Sequence, residues 1–314
     1  MQRHRIVVAG GAGFIGTHLC NRLLSEDNDV VCIDNLYSGR LENIQQFLGD
    51  PHFCFVNHDV TKPFNLTDVS MVFNLACPAS PKFYQKDAIF TTKTAFIGTV
   101  NMLDLATKNN CPMLQASTSE VYGEPLIHPQ PESYYGNVNP VGIRSCYDEG
   151  KRCAESLCMD YHRQYGINVK IVRIFNTYGP YMRPDDGRVI SNFIMQALRG
   201  DPITIYGDGN QTRSFMYIDD LIEGFMKVMN TPNDFTGPVN LGNPEEHTIK
   251  EIAEIIIAKT KSKSLLTYLP LPGNDPTRRK PNMSTASNIW SPKEPIDIGI
   301  AKVINYYKSY LALT

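Results

Sequence analysis

Val7-Val8-Ala9-Gly10-Gly11-Ala12-Gly13-Phe14-Ile15-Gly16 is the stretch whose reading decides the fold. The apolar, β-branched run Arg5–Gly10 predicts a strand that ends at a glycine turn. Phe14–Glu26 carries apolar residues at helical spacing and predicts the helix that follows. A strand, a glycine turn and a helix N-terminus together hold a dinucleotide pyrophosphate. The glycines let the backbone approach, and the helix end offers free N–H groups at its positive dipole end. The spacing Gly10-x-x-Gly13-x-x-Gly16 differs by one position from the standard fingerprint, so context has to support it. Asp34 closes the next strand, Val30–Asp34, where a carboxylate accepts both hydroxyls of an adenosine ribose. That acid favours NAD over a cofactor bearing a 2′-phosphate, and Arg40 nearby weakens the preference. Asp59 ends a third strand, Phe53–Asp59, and either touches adenine or caps its own turn.

Outward from this unit the pattern repeats. Met71–Ala76, Met113–Ser117 and Lys170–Phe175 read as further strands, with long helices over Ala88–Lys108 and Asp148–Tyr165. Strands alternating with helices require a parallel sheet covered on both faces. The expected class is therefore α/β, a doubly wound Rossmann sheet over residues 1–175 with a smaller C-terminal substrate lobe. The chain is expected to return to the sheet at about 203–231, leaving 176–202 and 232–314 to the lobe. In that second half, Asn176–Arg188 reads as loop and Arg188–Arg199 as helix. Pro202–Tyr206, Phe215–Ile218 and Val239–Gly242 read as short strands. Asp220–Asn230, Ile249–Lys261 and Ile300–Leu313 read as helices, and Leu266–Arg279 as polar loop.

The bulk numbers exclude several classes. A net charge of -2 over 314 residues gives no argument for nucleic acid or an anionic membrane surface. No apolar run is long enough to span a bilayer, and the N-terminal run holds too many glycines for a secretion leader. The eight cysteines show no CxxC pair and no zinc-type cluster, so no metal is expected. They read as reduced structural thiols of a cytoplasmic protein.

A second chemistry-bearing constellation lies downstream. Thr118, Ser119 and Glu120 follow the strand ending in Gln115-Ala116-Ser117, and ligands of open parallel sheets gather at the carboxyl ends of strands. Tyr147 and Lys151 stand four residues apart, on one helix face. A free phenol has a pKa near ~10 and is a poor base at neutral pH. An ammonium about 4 Å away, at an effective dielectric of ~20, stabilises its phenolate by at most roughly 4 kcal/mol, or three pKa units. Tyr147 thereby becomes a usable general base. Thr118 can donate to the same substrate oxygen.

These motifs resemble the extended short-chain dehydrogenase/reductase family of nucleotide-sugar enzymes, in particular its branch that decarboxylates UDP-glucuronate. The resemblance runs from Arg5 to about Leu313. It is carried by Ala76-Cys77-Pro78-Ala79-Ser80-Pro81, Ser117–Gly123, Gly142–Arg152, Arg173–Pro180, Gln211–Phe215 and Arg279-Lys280-Pro281. It implies an NAD site formed by Gly10, Gly13, Phe14, Ile15, Gly16, Asp34, Asn35, Asp59, Val60 and Ala76, with Tyr147 and Lys151 reaching the same cofactor. It implies Tyr147 as base, Lys151 as its electrostatic partner and Thr118 as helper. Glu120 and Arg279 are implied near the sugar carboxylate and C5. Ser119, Asn176, Arg188, Gln211 and Arg213 are implied against the UDP-sugar. The alternatives are a 4-epimerase or 4,6-dehydratase of the same family, or an inactive NAD-binding scaffold. A homodimer through a four-helix bundle is expected by analogy. Two positions depart from the family: Ala95 where an Asn is usual, and Asn282 where an Asp is usual.

Overall fold

The computed structural model describes residues 3–270 and 278–313. The strands are β1 (Arg5–Ala9), β2 (Asp29–Asp34), β3 (Phe53–Asn57), β4 (Met71–Asn74), β5 (Met113–Thr118) and β6 (Val169–Ile174). After them come β7 (Thr177–Tyr178), β8 (Ile203–Tyr206), β9 (Thr212–Ser214), β10 (Met216–Tyr217), β11 (Val239–Leu241), β12 (Glu246–Thr248) and β13 (Leu266–Leu269). The helices are α1 (Phe14–Ser25), α2 (Leu41–Ile44), α3 (Pro81–Tyr84), α4 (Ala88–Lys93) and α5 (Thr99–Lys108). They continue with α6 (Ser145–Tyr165), α7 (Val189–Arg199), α8 (Ile218–Met229), α9 (Ile249–Thr260) and α10 (Ile296–Leu313).

The chain divides into two compact units. The first holds Met1–Val121, Val138–Ile174 and Ile222–Val239. Its frame is a seven-stranded sheet in the order β11-β6-β5-β4-β1-β2-β3, parallel from β3 through β6. Sequence order reverses between β1 and β4, and the carboxyl ends flanking that reversal are where such sheets open a crevice. The strands carry apolar side chains in unbroken runs because helices cover both faces. One face buries Met102, Leu103, Ala106 and Cys158 against Val7, Val72, Met113 and Val169. On α1, Leu19, Cys20 and Leu23 are also fully buried, and its Arg22 pairs with Glu223 of α8 at 2.9 Å. The α/β doubly wound reading holds.

The second unit holds Tyr122–Asn137, Phe175–Leu221 and Asn240–Thr314. It is built from α7, α9, α10 and three two-stranded pairs: β7 with β10, β8 with β13, and β9 with β12. The first unit regains the chain at Ile222–Val239, against an expectation of 203–231. The difference lies in β8, which pairs in parallel with β13 and not with the main sheet.

Three local readings change. The helix expected over 88–108 is two helices joined by a π-helical turn, Thr94–Gly98. There α6 comes so close that a Cβ on Gly150 would sit 2.9 Å from the Ala95 Cβ. Leu266–Leu269 is a strand where a loop was expected, because Leu266-Thr267-Tyr268-Leu269 finds β8 as a partner. Within the rest of that expected loop, residues 271–277 fall outside the described residues. Thr177–Tyr178, within the expected loop 176–188, pairs with β10.

Candidate active site

The glycine turn after β1 is a backbone cradle. Gly10 has φ +80°, a conformation L side chains rarely adopt, and a Cβ there would lie 2.9 Å from the Ala76 backbone N. A Cβ on Gly16 would collide with the Gly10 carbonyl. Gly13 is the cap residue of α1 and has no side chain to fill the space ahead of it. The first intrahelical bond runs from Thr17 N to Gly13 O, so the N–H groups of Phe14, Ile15 and Gly16 belong to the helix end that has no intrahelical acceptor. A helix end of this kind can hold an anion by main chain alone.

Asp34 ends β2 beside it and is 8% exposed. Its Oδ2 accepts from Ala12 N at 3.1 Å and its Oδ1 from Leu36 N at 2.8 Å. Burial pushes its carboxyl above the usual carboxylate range, and those two backbone N–H groups pull the other way. Gly39 makes room, since a Cβ there would approach Asp34 Oδ1 to 2.8 Å. Arg40 lies against the same loop, its N–H bonded to Ala12 O and its Nη2 to Asn43 Oδ1 at 3.1 Å. A cradle that any Cβ would fill, with a carboxylate keeping lone pairs at its rim, fits an adenine dinucleotide.

Several expected cofactor residues sit around this core in other roles. Asn35 is exposed and its Oδ1 accepts from Tyr37 N. Asp59 accepts from Thr61 N at 2.9 Å, which closes its turn. Val60 is buried, with its carbonyl held by Asn101. Ala76 packs beside Gly10.

Tyr147, Lys151, Ala154 and Cys158 form the buried stripe of α6. A lysine in such a stripe is unusual, because an ammonium loses hydration there. Lys151 is 4% exposed, and its Nζ donates to Ala116 O of β5 at 2.8 Å. Nζ is 5.9 Å from the centre of the Tyr147 ring. An ammonium on that side of the ring favours the phenolate over the phenol.

Thr118 ends β5, and its Oγ1 accepts from Glu120 N at 3.2 Å. Ser119 beside it is buried. Glu120 pairs with Arg144 Nη2 at 2.6 Å. Burial disfavours the Arg144 cation, but Glu120, with Tyr84 and Asp148, outweighs this and the net shift is upward.

Two residues here were not singled out from the sequence. Tyr84 of α3 stacks face to face on Tyr147, ring centres 5.2 Å apart and planes 4° apart. Its hydroxyl is buried and has no hydrogen-bond partner among the described residues. Burial pushes that phenol strongly upward, so it stays a donor. The guanidinium of Arg144 lies 5.9 Å from the Tyr84 ring. Its position three residues before Tyr147 was the available signal for Arg144, whereas nothing in spacing links Tyr84 to Tyr147.

In the second unit Arg279 is 4% exposed and its Nη2 reaches Gly123 O at 3.4 Å. Its backbone bridges to Arg213, and Ser214 Oγ donates to its carbonyl. Lys280 pairs with Glu246 at 3.0 Å. Arg213 Nη1 donates to Thr212 O, and Gln211 Nε2 to Tyr206 O. Asn176 O accepts from Met216 N, and Arg188 pairs with Asp186 at 3.3 Å. Asn282 Oδ1 accepts from Ser284 N, so the amide serves a turn.

The profile of the NAD dependent epimerase/dehydratase family matches residues 6–242. The chain belongs to that family. UDP-glucuronic acid decarboxylase 5 of Arabidopsis thaliana is 50% identical over 94% of this chain and 87% of its own length. UDP-glucuronic acid decarboxylase 1 of Danio rerio is 47% identical over 98% of this chain and 74% of its own. Among solved structures, a UDP-glucuronic acid 4-epimerase from Bacillus cereus in complex with UDP-glucuronic acid and NAD superposes with a TM-score of 0.86 at 29% identity, covering 98% of this chain and 99% of that one. A UDP-N-acetylglucosamine 4-epimerase from Methanobrevibacter ruminantium M1 gives 0.90 at 27%, covering 99% and 100%. The family is NAD dependent, in keeping with the cradle. No helix among the described residues is long and apolar enough to cross a membrane.

Proposed function

We propose that this chain is an NAD-dependent UDP-glucuronate decarboxylase that forms UDP-xylose and CO2. The observation that carries the reading is the buried Tyr147–Lys151 pair of α6, with Lys151 tied to the carboxyl end of β5 in the unit that also holds the glycine cradle. Half-identity to proteins named for this activity, over nearly the whole chain, supports it.

A sugar acid keeps its carboxylate because the electrons of the breaking C–C bond have nowhere to go. A ketone at C4 makes it a β-keto acid, whose carbonyl takes those electrons. NAD held by the glycine turn and Asp34 would supply a hydride acceptor for C4 and, reduced, a hydride donor. Tyr147 removes the O4 proton, and Lys151 stabilises the phenolate that does so. Once protonated, Tyr147 donates to the oxygen that becomes an enolate as CO2 leaves, joined by Thr118. It gives its proton back to O4 when C4 is reduced. C5 takes up one proton, so one proton is consumed per CO2 released.

Glu120 acts beside the sugar carboxylate, its charge matched by Arg144. Ser119, Asn176, Arg188, Gln211 and Arg213 bind the UDP-sugar. Arg279 makes a loose contact with the carboxylate, because a tight bidentate clamp would stabilise the ground state and oppose loss of CO2. Cytoplasmic residence and a homodimer through α4, α5 and α6 complete the proposal. Ile89 and Phe96 expose 71% and 43% of their surface on that helical run, apolar area a partner would cover. Analytical ultracentrifugation that returns a monomer removes the dimer.

The protein incubated with UDP-glucuronate is expected to release CO2 and a UDP-pentose with no net change in NAD. A C4-epimerised UDP-sugar acid without CO2 would instead establish the epimerase reading, the activity named for the Bacillus cereus enzyme that shares 29% identity. A protein that binds NAD and transforms none of UDP-glucuronate, UDP-glucose and UDP-galactose would leave only the scaffold.

A further inference from the structure

One turn beyond Lys151 on α6, Glu155 makes a contact that the reaction above does not use. Its Oε1 accepts from Ser117 Oγ at 2.5 Å and from Arg173 Nε at 2.9 Å. Its Oε2 accepts from Arg173 Nη2 at 2.7 Å. Ser117 of β5 and Arg173 of β6 are registered partners, so their side chains leave the sheet on one face. The ion pair is enclosed, with side chains only 13% and 11% exposed. Two charges are thus kept in a low-dielectric layer at the foot of the catalytic face, where apolar residues would have packed at lower desolvation cost.

Tyr147, Lys151 and Glu155 recur every four residues along one face. Unpaired, the Glu155 carboxylate would sit on the same face as the Lys151 ammonium and oppose its field at Tyr147. We propose that Arg173 and Glu155 are positioning residues for the Tyr147–Lys151 couple: Arg173 masks the Glu155 charge so that the field of Lys151 reaches the phenol undiminished, while the paired carboxylate anchors α6 to β5 and β6. This rests on the reading of Tyr147 as the base.

Other charged and titratable groups surround the phenol, and all stay in place in the test below. On its own helix and just before it are Cys146, Asp148 and Arg144. From the turn after β5 comes Glu120, already paired with Arg144. From α3 comes Tyr84, and from the loop after β4 Cys77, which senses both Lys151 and Cys146. Around Glu155 the described groups are Ser117, Arg173, Lys151 and Cys158, whose thiol feels Glu155 and Lys151 with opposite signs.

The test uses Arg173→Met, Glu155→Gln, the double variant, and Arg173→Lys. Each is paired with its own Tyr147→Phe counterpart, so that the difference in phenolate absorbance on titration reports Tyr147 alone. The acid limb of kcat/KM against pH is read in parallel. Eight helical residues span ~12 Å, so at an effective dielectric of ~20 one unmasked charge moves the midpoint by about one pH unit. Arg173→Met bares the carboxylate and moves the midpoint up. Glu155→Gln bares the guanidinium and moves it down. The double variant and Arg173→Lys return close to wild type. Midpoints that stay put, or that move together in one direction, overturn the proposal, since a purely structural brace has no reason to give shifts of opposite sign. Turnover surviving Tyr147→Phe sinks the base assignment and this proposal with it. Turnover lost with midpoints unmoved sinks this proposal alone.

Discussion

The glycine cradle and the strand-end cluster around Tyr147 are built from different material. The cradle is main chain: a positive φ at Gly10, a Gly16 that admits no Cβ, and helix N–H groups left over by geometry. Its turn glycines lie within a dozen positions, while Asp34, Gly39 and Ala76 come to it from the ends of neighbouring strands and the loops that follow them. The cluster is side chain: Tyr84 from α3, Lys151 and Tyr147 from α6, and Glu120 and Arg144 from the segments before α6. A backbone site is specified by what is absent from the sequence. A side-chain site is specified by what is buried at a cost, here an ammonium, an ion pair and the Tyr84 hydroxyl, which has no hydrogen-bond partner among the described residues. The first should fail through sterics, and the second through charge and protons.

The largest effect expected is at the proton carrier. Tyr147→Phe leaves the stack on Tyr84 and the cradle intact but removes the acid–base group, so kcat falls by about 10³-fold or more. NAD affinity, read by calorimetry, stays within a few-fold of wild type. A variant that loses NAD binding as well would show that the two regions are not separable.

The complementary break is Gly16→Val. Its branched side chain meets the Gly10 carbonyl and the Gly11 Cα, both main chain with little room to move. NAD affinity falls by roughly 10²-fold, on the order of 3 kcal/mol. Unchanged affinity would mean that the pyrophosphate binds away from this turn.

Third in size is the ion pair. Arg144→Met leaves Glu120, whose side chain is 17% exposed, without its cation. Folding stability drops by about 2 kcal/mol, read as a lower midpoint in denaturant, and Glu120→Gln in the same chain recovers part of it. A midpoint that does not change would mark the pair as a solvated contact.

Legibility followed the same division. The strands from β1 to β6 could be read to within a residue or two because each opens on a short, mostly apolar run bounded by turn residues. The cofactor turn was legible because glycines follow β1 and an acid ends β2. In the second unit Leu266–Leu269 reads as loop until its partner Ile203–Tyr206 is known, since two-stranded pairing is decided by the partner. The π-helical turn at Thr94–Gly98 was hidden because its residues are acceptable in any helix. At the site, Tyr147 and Lys151 announce themselves through a four-residue spacing. Tyr84 does not, because only the fold brings it onto the Tyr147 ring.

The smallest effect sets one acid of each unit against the other. Burial raises the Asp34 carboxyl in the folded protein, with the Leu36 and Ala12 N–H groups opposing. The folded state then holds its proton to higher pH than the unfolded chain, so Asp34 withdraws stability as pH climbs from the unfolded value through the folded one. Glu246 has the opposite sign. Burial alone would raise it, but hydrogen bonds from Lys280 and Thr212, with the Lys280 and His128 charges, lower it overall. Its stabilisation is present above the unfolded value and is lost as pH falls through the folded one. Thermal midpoints measured in steps from pH 3 to 7 should therefore rise less steeply in Glu246→Gln than in wild type, because the variant has no such gain to make. In Asp34→Asn they should rise more steeply, whatever constant offset follows from an amide that can accept only one of the two N–H bonds. Equal slopes in both variants would mean that burial and pairing cancel at both sites, and the contrast between the units would reduce to geometry.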